Sequence, residues 1–173
     1  LIEVDYELLP AVFDPLSSIA EGAPQLHENA KNNINIHIPI DVGNVEEALK
    51  ECDYVHKELT SSEEESYFMT EPYAVLVHCD RQGTVEVWMP NASPHTKAKG
   101  LANALELPVS KVRVRHVWSG GAFGGRSDMF PGEYIASLLS RKTRRPIKLV
   151  YTREENSIAI RQGHSMVVES TFG

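Results

Sequence analysis

Four glycines surround a single aromatic residue, Phe123, in the stretch Trp118-Ser-Gly-Gly-Ala-Phe-Gly-Gly-Arg-Ser-Asp128. Glycine adopts positive φ at little cost and lets the backbone come close to another group. A strand-like run at residues 112–118 leads into the stretch, and a helix-like run at residues 133–144 leads out of it. Unpaired amide N–H groups between a strand and a helix readily bind anionic or oxo groups. The stretch therefore predicts a ligand-binding loop, with a tight turn made of glycine for backbone reasons alone as the alternative.

The glycine spacing fits known nucleotide-binding patterns poorly. No register supplies the glycines at i, i+2 and i+5 that a dinucleotide-binding loop needs. Gly120-x-x-x-x-Gly125-Arg126-Ser127 matches the phosphate-loop pattern except for Arg in place of Lys, and the two side chains are not equivalent as phosphate ligands. The strand before a phosphate loop is normally buried on both faces, whereas Arg113 and Arg115 here alternate with valines. The sequence thus argues against an NTPase.

Composition sets the broad class of the protein. The chain has 173 residues, of which 42% are hydrophobic and 24% charged, as in an ordinary globular protein of one domain or one domain plus a piece of another. The net charge of −7 argues against general nucleic-acid binding. No run approaches the ~18 consecutive apolar residues of a membrane span. Because the sequence starts without Met and without the features of a signal peptide, we expect it to have been cut from a longer chain.

Cysteine and histidine usage predicts no metal-ligating residues in this chain. Cys52 and Cys79 are 27 positions apart without a partner motif, and the seven histidines form no HxH or HxxxH pair. Both cysteines are expected to be small core residues in a reducing compartment, which favours the cytoplasm.

The order of predicted elements indicates an α+β fold with mixed or antiparallel sheets and packed helices. Asn44 and Ser93 are expected to cap helices, and Asp80-Arg-Gln-Gly83 is expected to turn a hairpin. Alternation predicts strands at residues 1–9, 54–60, 73–79, 84–89, 111–118, 147–151 and 166–172. Helices are predicted at 16–20, 44–53, from Pro94 towards Pro108 and from Pro131 towards Pro146, with inward stripes Ala98, Leu101, Ala102, Leu105 and Tyr134, Ile135, Leu138, Leu139.

Five stretches, in this order, resemble the molybdopterin-binding subunit or region of the xanthine dehydrogenase and aldehyde oxidase family, the molybdenum hydroxylases. The glycine stretch is similar to the family loop GGGFGGK. The end of the family's hammerhead domain is similar to Val4-Asp-Tyr-Glu-Leu-Leu-Pro-Ala-Val12, and its GDVEAAF helix is similar to Gly43-Asn-Val-Glu-Glu-Ala-Leu49. Its EP…D..G strand pair is similar to Glu71-Pro72 with Asp80 and Gly83, and its R-E/D-E motif is similar to Arg153-Glu-Glu155.

This resemblance implies a division of the chain and a role for the loop. Residues 1–40 would be the end of a hammerhead-type domain plus an extended connector, and residues 41–173 the first part of the molybdopterin-binding domain. The loop at residues 120–126 would line the molybdenum cofactor. The resemblance leaves open whether this cofactor is in its dinucleotide form. The residues implied in cofactor binding are Gly121, Ala122, Phe123, Gly124 and Gly125.

The resemblance also implies an activity and partners. The whole enzyme would hydroxylate an N-heterocycle or an aldehyde with oxygen from water. Iron–sulfur clusters and FAD are expected on other domains or subunits, and the remainder of the molybdopterin-binding subunit and a small-molecule substrate are expected as partners. No catalytic residue is expected in this chain, since the family's catalytic Glu lies downstream, and residues 1–173 alone are expected to be inactive.

Two positions depart from the family pattern. Ala92, after Asn91, stands where the family usually has a Gln that donates a hydrogen bond to the oxo ligand. Ser127 stands where some members have an acidic residue that binds substrate, so the substrate need not be a purine. The missing Gln keeps open an alternative, a non-catalytic relative or accessory module that binds no molybdenum.

Overall fold

The computed structural model describes residues 2–173 and divides them into two compact units. The described residues up to Glu64 form the first unit together with His164–Gly173, and Glu65–Gly163 form the second. The helices are α1 Pro15–Ser18, α2 Val45–Lys50, α3 Pro94–Ala104, α4 Pro131–Thr143 and α5 Arg153–Ala159, with 3-10 turns at Lys31–Asn33 and Val109–Lys111. The strands are β1 His56–Ser62, β2 Glu65–Ser66, β3 Ala74–Cys79, β4 Val85–Met89, β5 Val112–His116, β6 Ile147–Val150, β7 Gln162–Gly163 and β8 Met166–Phe172.

The first unit is built on one antiparallel pair of strands, β1 and β8, in a register that places His56 opposite Phe172. Two short helices precede the pair in the chain. The predicted cap of α2 is confirmed, because the Asn44 side chain accepts a hydrogen bond of 3.2 Å from the backbone N–H of Glu47. The side chain of Asp14 caps α1 in the same way, at 2.8 Å from the N–H of Ser17.

The second unit holds a four-stranded sheet with the order β5-β4-β3-β6. The pair β3–β4 is the predicted hairpin, and β6 adds to β3 in the antiparallel sense. The strand β5 runs parallel to β4, and α3 makes the crossover between them. The predicted α+β class with mixed and antiparallel pairing is therefore confirmed.

One face of this sheet, together with α3 and α4, forms the core. Side chains of a strand alternate between its two faces, so every second residue of β3 and β4 points inward. The buried side chains of the sheet are Val75, Val77, Cys79, Val85, Val87 and Met89, and those of the helices include Leu101, Ala102 and Ala136. The sequence predicted the buried stripe of α3 correctly, since Ala98, Leu101, Ala102 and Leu105 are all buried.

The structure contradicts four local predictions. Residues 2–9 form no strand and are exposed, since no neighbouring strand pairs with them, while Leu1 lies outside the described residues. Ser93 precedes α3 without a side-chain capping bond. The helix α2 buries no residue, so its predicted stripe packs on no core among residues 2–173, and Cys52 of that stripe is only partly buried, unlike the buried Cys79. The helix α5 was not predicted from the sequence. It begins with a capping box formed by Thr152 and Glu155.

The fourth contradicted prediction concerns the orientation of α4, since the missed helix α5 is an omission. The apolar residues predicted to face inward are half exposed, with Ile135 at 48%, Leu138 at 53% and Leu139 at 43%. The opposite, more polar face is buried instead, including Glu133, Ser137 and Ser140. Hydrogen bonds and an ion pair tie this polar face to the sheet and to α3, and they outweigh the apolar periodicity of the helix.

The predicted domain division at residues 40 and 41 concerns family domains and stays a prediction. The compact units are a different property, and they divide after Glu64 and after Gly163.

Candidate functional site

The glycine loop lies in the second unit, between the end of β5 at His116 and the start of α4 at Pro131. Three of its residues adopt positive φ: Gly121 at 102°, Phe123 at 48° and Gly124 at 91°. Left-handed conformations cost a residue with a side chain roughly 1–2 kcal/mol, so the glycines at 121 and 124 are required by the turn itself. Phe123 bears this cost and still leaves its ring 68% exposed.

Four successive amides of the loop are free to bind another group. Within residues 2–173, the N–H groups of Gly121, Ala122, Phe123 and Gly124 donate to no protein acceptor. The next amide is used inside the turn, since Gly125 donates to the carbonyl of Ala122 over 2.8 Å. An unpaired amide needs water or a ligand as its partner, so this part of the loop is suited to receive one.

The direction of two of these amides follows from peptide geometry. In a trans peptide the C=O and the following N–H point to opposite sides, and no bond in the described chain is cis. The carbonyl of Gly121 accepts from the Arg126 side chain, and the carbonyl of Ala122 accepts from the N–H of Gly125. Both carbonyls are therefore turned into the loop, which directs the N–H groups of Ala122 and Phe123 away from it.

An ion pair between Glu71 and Arg126 closes the base of the loop. Glu71 Oε2 accepts from Arg126 Nη2 and from the backbone N–H of Gly120, each at 2.8 Å. Arg126 Nε donates to the carbonyl of Gly121 at 2.9 Å, and Nη2 also reaches the carbonyl of Glu71 at 3.1 Å. Arg126 is only 1% exposed. Burial lowers its pKa, and the Glu71 carboxylate opposes that change.

Close packing explains the other two glycines of the motif. A Cβ added at Gly120 would lie 2.6 Å from Cβ of Glu71, which is closer than side chains approach one another. A Cβ at Gly125 would lie 3.1 Å from Met69 Cε and 3.2 Å from Tyr67 Cβ. The segment at residues 67–71 therefore lies directly against the loop and supports it from below.

Arg153 holds this supporting segment in place. Its guanidinium donates to the carbonyls of Met69 and Thr70, each at 2.7 Å, and lies 4.6 Å from the ring centre of Phe68. The R-E-E motif noted in the sequence thus acts on the segment that contacts the glycine loop.

A second buried ion pair holds the end of the loop. Lys97 Nζ of α3 donates to Glu133 Oε1 of α4 at 2.7 Å and also to the carbonyl of Asp128, and both charged side chains are fully buried. The hydroxyl of Tyr73 donates to the same carboxylate oxygen. Burial raises the pKa of Glu133 while Lys97 opposes the increase, and burial beside Glu133 also raises the pKa of Tyr73.

Ala92, one of the two positions that depart from the family pattern, and its neighbour Asn91 lie beside the loop. The backbone N–H of Ala92 donates to the carbonyl of Arg126 at 3.2 Å. The side chain of Asn91 is buried, and its Nδ2 donates to the carbonyl of Met89 at 3.0 Å. One N–H of the Asn91 side-chain amide is thus used within the protein, while its Oδ1 is buried without a partner among residues 2–173. Ala92 has no donor on its side chain.

Comparison with known proteins identifies the family. Residues 26–173 match the model of the family described as molybdopterin cofactor-binding domain. The chain belongs to this family. The suspected resemblance is therefore confirmed for most of the chain, including the glycine loop.

Relatives of this molybdopterin-binding-domain chain are larger proteins. It is 31% identical over 172 residues to the nicotinate dehydrogenase large molybdopterin subunit of Eubacterium barkeri, covering 99% of this chain and 40% of the relative. It is 26% identical over 184 residues to the xanthine dehydrogenase molybdenum-binding subunit of Escherichia coli O157:H7, covering 100% of this chain and 23% of the relative. The chain thus spans two fifths or less of these relatives.

A solved structure supports the fold. The aldehyde oxidoreductase from Desulfovibrio gigas superposes with a TM-score of 0.85 over 99% of this chain and 19% of that one, at 17% sequence identity. At this identity the likeness shows a shared fold, and the substrate is a separate question.

The geometry does not suit the phosphate-loop alternative. A phosphate loop needs a cation that reaches the ligand, whereas Arg126 is buried and bonded to Glu71 and to backbone carbonyls. The loop is also followed by turns, and α4 begins only at Pro131. The sequence reading against an NTPase therefore agrees with the structure.

Two absences apply to residues 2–173. These residues contain no cluster of three or more His, Cys, Asp or Glu side chains that could ligate a metal ion. No helix is long and apolar enough to cross a membrane.

The sequence reading missed the polar groups that support the loop. Glu71 was noted only as part of a motif, and the roles of Tyr67 and Lys97 were not predicted. Lys97 carried a readable signal, because it lies four positions before Leu101, at the edge of the apolar stripe of α3. A charged residue at such a position is rarely fully buried without a partner.

Proposed function

We propose that this chain is the first part of the cofactor-binding region of a molybdenum hydroxylase large subunit, and that its glycine loop contacts the molybdenum–pterin cofactor. The observation that carries the proposal is the set of four unpaired amides at Gly121–Gly124. They lie in the loop that resembles GGGFGGK, within a chain that belongs to the molybdopterin cofactor-binding domain family.

The loop residues fit such a group in different ways. Ala122 and Phe123 direct their N–H groups away from the loop, where they can donate to oxo or dithiolene atoms of a cofactor. The exposed ring of Phe123 would pack against the cofactor and keep water away from it. Gly121 and Gly124 let the backbone approach closely. Gly125 is buried with its N–H already used, so we propose a supporting role for it.

The cofactor, when bound, supplies the oxidation–reduction chemistry of a hydroxylation that uses oxygen from water. The role of this chain is to position and polarise the cofactor through fixed amide dipoles, which need no rearrangement during the reaction. We propose an N-heterocycle or an aldehyde as substrate, since one relative is named nicotinate dehydrogenase and the family that the loop resembles also includes aldehyde oxidases. The exposed Ser127 offers a hydroxyl where an acidic side chain would favour a purine.

The remaining parts of the proposal concern the whole protein. We propose that the rest of the large subunit completes the cofactor site and that iron–sulfur and FAD domains or subunits carry the electrons away. We propose a cytoplasmic location on the basis of the two unpaired cysteines, Cys52 and Cys79.

Replacing Gly124 with Val tests the loop. The new Cβ would lie 3.3 Å from the Tyr67 ring at a φ of +91°, and the methyl groups would occupy space beside the free amides. In the complete subunit we expect the molybdenum content per chain, measured by elemental mass spectrometry, to fall to less than about a tenth of the wild-type value. Unchanged loading would contradict the proposal.

Gly83→Val is the matched control. Gly83 has a similar φ of +81° in the hairpin turn, with nothing within 4 Å of an added Cβ. It therefore reproduces the backbone strain of roughly 1–2 kcal/mol without a change at the loop. We expect near-normal molybdenum content, and equal losses in both variants would indicate that backbone strain alone explains the effect.

One observation favours a second candidate, a family relative that binds no molybdenum. Ala92 lacks the side-chain amide that family members use beside the oxo ligand, and the amide of Asn91 is bonded to Met89. Elemental analysis of the complete wild-type protein separates the candidates, because about one molybdenum per chain excludes the second and none excludes the first.

A further inference from the structure

We propose that Glu71 and Arg126 form a positioning pair that sets the direction of the amides facing the cofactor. This inference rests on the proposed function of the loop. The free N–H groups belong to other residues, those at positions 121–124. Glu71 and Arg126 would therefore act on the cofactor contact only indirectly, by holding the backbone of the loop.

One carboxylate oxygen accepts hydrogen bonds from both ends of the loop and so connects them. Glu71 Oε2 lies 2.8 Å from the N–H of Gly120 at the loop's start and 2.8 Å from Nη2 of Arg126 at its end. Arg126 Nε then binds the carbonyl of Gly121 at 2.9 Å. The two ends of the loop are therefore joined through a single side chain from another segment.

This junction decides which side of the loop presents donors. The carbonyl of Gly121 faces Arg126, so the N–H of Ala122 in the same peptide plane must face away from it. The exposed Ser119 hydroxyl also donates to this carbonyl, at 3.1 Å, but the buried guanidinium is the closer and the charged donor. Without the guanidinium, the plane between Gly121 and Ala122 would be held by that one surface bond and would rotate more easily, since Gly121 at φ 102° tolerates many conformations. The amide would then lose the fixed direction that a cofactor contact needs.

Burial makes the pair sensitive to loss of one partner. Arg126 is 1% exposed, and its Nη1 has no hydrogen-bond partner among residues 2–173. Its charge is therefore balanced mainly by Glu71, whose side chain is 36% exposed. Removing one member of a buried pair leaves the other charge uncompensated, so the loop is expected to rearrange when Glu71 is truncated.

The test uses the complete protein with three variants. Glu71→Ala removes both hydrogen bonds, and Glu71→Gln keeps an acceptor oxygen but removes the charge. Glu86→Ala is the control, since Glu86 also pairs with an arginine, Arg115 at 2.9 Å, but at the surface and without a contact to the glycine loop.

The first measurement is hydrogen exchange of the peptide at residues 117–130 by mass spectrometry. The amides of Gly125 and Ser127 donate to carbonyls within the loop and report on loop order, whereas the amide of Gly120 loses its own acceptor in Glu71→Ala and is left out of the comparison. We expect Glu71→Ala to accelerate their exchange at least tenfold, whereas the control should leave it unchanged. Wild-type exchange in Glu71→Ala would overturn the proposal, whether or not the protein holds molybdenum.

The second measurement is the electron paramagnetic resonance spectrum of reduced, molybdenum-loaded protein. A purely structural role would leave the spectrum of a folded, loaded variant unaltered. We expect Glu71→Gln to shift the spectrum and the control to match the wild type. If Glu71→Ala fails to fold, Glu71→Gln decides, and an unaltered spectrum there overturns the proposal. Absence of molybdenum from the wild type would instead contradict the proposed function, and hydrogen exchange would then decide on the pair.

Discussion

Single residues decide the electrostatics beneath the glycine loop, and Glu133 is the clearest case. Burial raises its pKa above the ordinary value of 4.5, and Lys97 at 2.7 Å only opposes that change. A carboxyl group with a raised folded-state pKa favours folding while it is protonated. This contribution is complete below pH 4.5 and is lost as the pH rises through the raised value.

Glu133→Gln should therefore alter the pH dependence of stability. Gln cannot ionise, so the melting temperature of the variant relative to wild type should increase as the pH rises from 4.5. Melting curves of both proteins over a pH series measure this difference. A difference that falls with pH would mean that Lys97 more than offsets the burial of the carboxylate.

At the scale of elements, α4 is held to the sheet by polar bonds at particular positions. Ser140 Oγ accepts from the N–H of Cys79 at 2.9 Å and donates to the carbonyl of Arg145 at 2.8 Å. Ser137 is equally buried, but its Oγ has no hydrogen-bond partner among the described residues. The same serine-to-alanine substitution should therefore have different consequences at the two sites.

We expect Ser140→Ala to lower the free energy of unfolding by about 1–3 kcal/mol, because the buried N–H of Cys79 loses its acceptor. Ser137→Ala removes an unpaired hydroxyl, so its effect should be within about 0.5 kcal/mol or slightly stabilising. Denaturant unfolding of the two variants measures both values. Equal losses would show that the hydrogen bonds of Ser140 do not hold the helix.

The same helix shows what the sequence could and could not predict. Its start at Pro131 followed from local signals, as did the hairpin with Asp80 and Gly83 in its turn. The face that it buries did not, because the choice depends on Lys97 and Tyr73, which are distant in sequence and supply partners for Glu133. Burial of polar side chains follows from such partners, and periodicity alone does not reveal them.

The loop shows the same division. The positive φ of glycines in the motif could be predicted from its sequence, as at Gly121 and Gly124. The bond from Glu71 to a residue 55 positions later was not, since nothing local specifies it. The strand predicted at residues 1–9 failed for a related reason, because alternation needs a partner strand to produce a sheet, and within the described part of the chain none pairs with residues 2–9.

At the scale of the whole molecule, each compact unit exposes large apolar side chains. In the first unit Leu8 is 95% and Phe13 94% exposed, and in the second Trp118, two residues before the glycine motif, is 96% exposed. A large apolar side chain exposed to this extent beside a binding loop, as Trp118 is, is typical of a surface that another protein segment covers. The chain spans 40% or less of the relatives described above, so more polypeptide is available in proteins of that size.

We therefore expect Trp118 to be covered in the complete, molybdenum-loaded protein. Hydroxyl-radical footprinting reads this residue directly by mass spectrometry, and a free peptide of residues 112–124 gives the rate for full exposure. Trp118 should be oxidised at least about fivefold more slowly in the complete protein than in the peptide, because radical access follows solvent exposure. The fully buried Met89 serves as the internal standard for an intact core. Peptide-like oxidation of Trp118 beside a protected Met89 would mean that the loop faces open solvent, which an enclosed cofactor site does not allow.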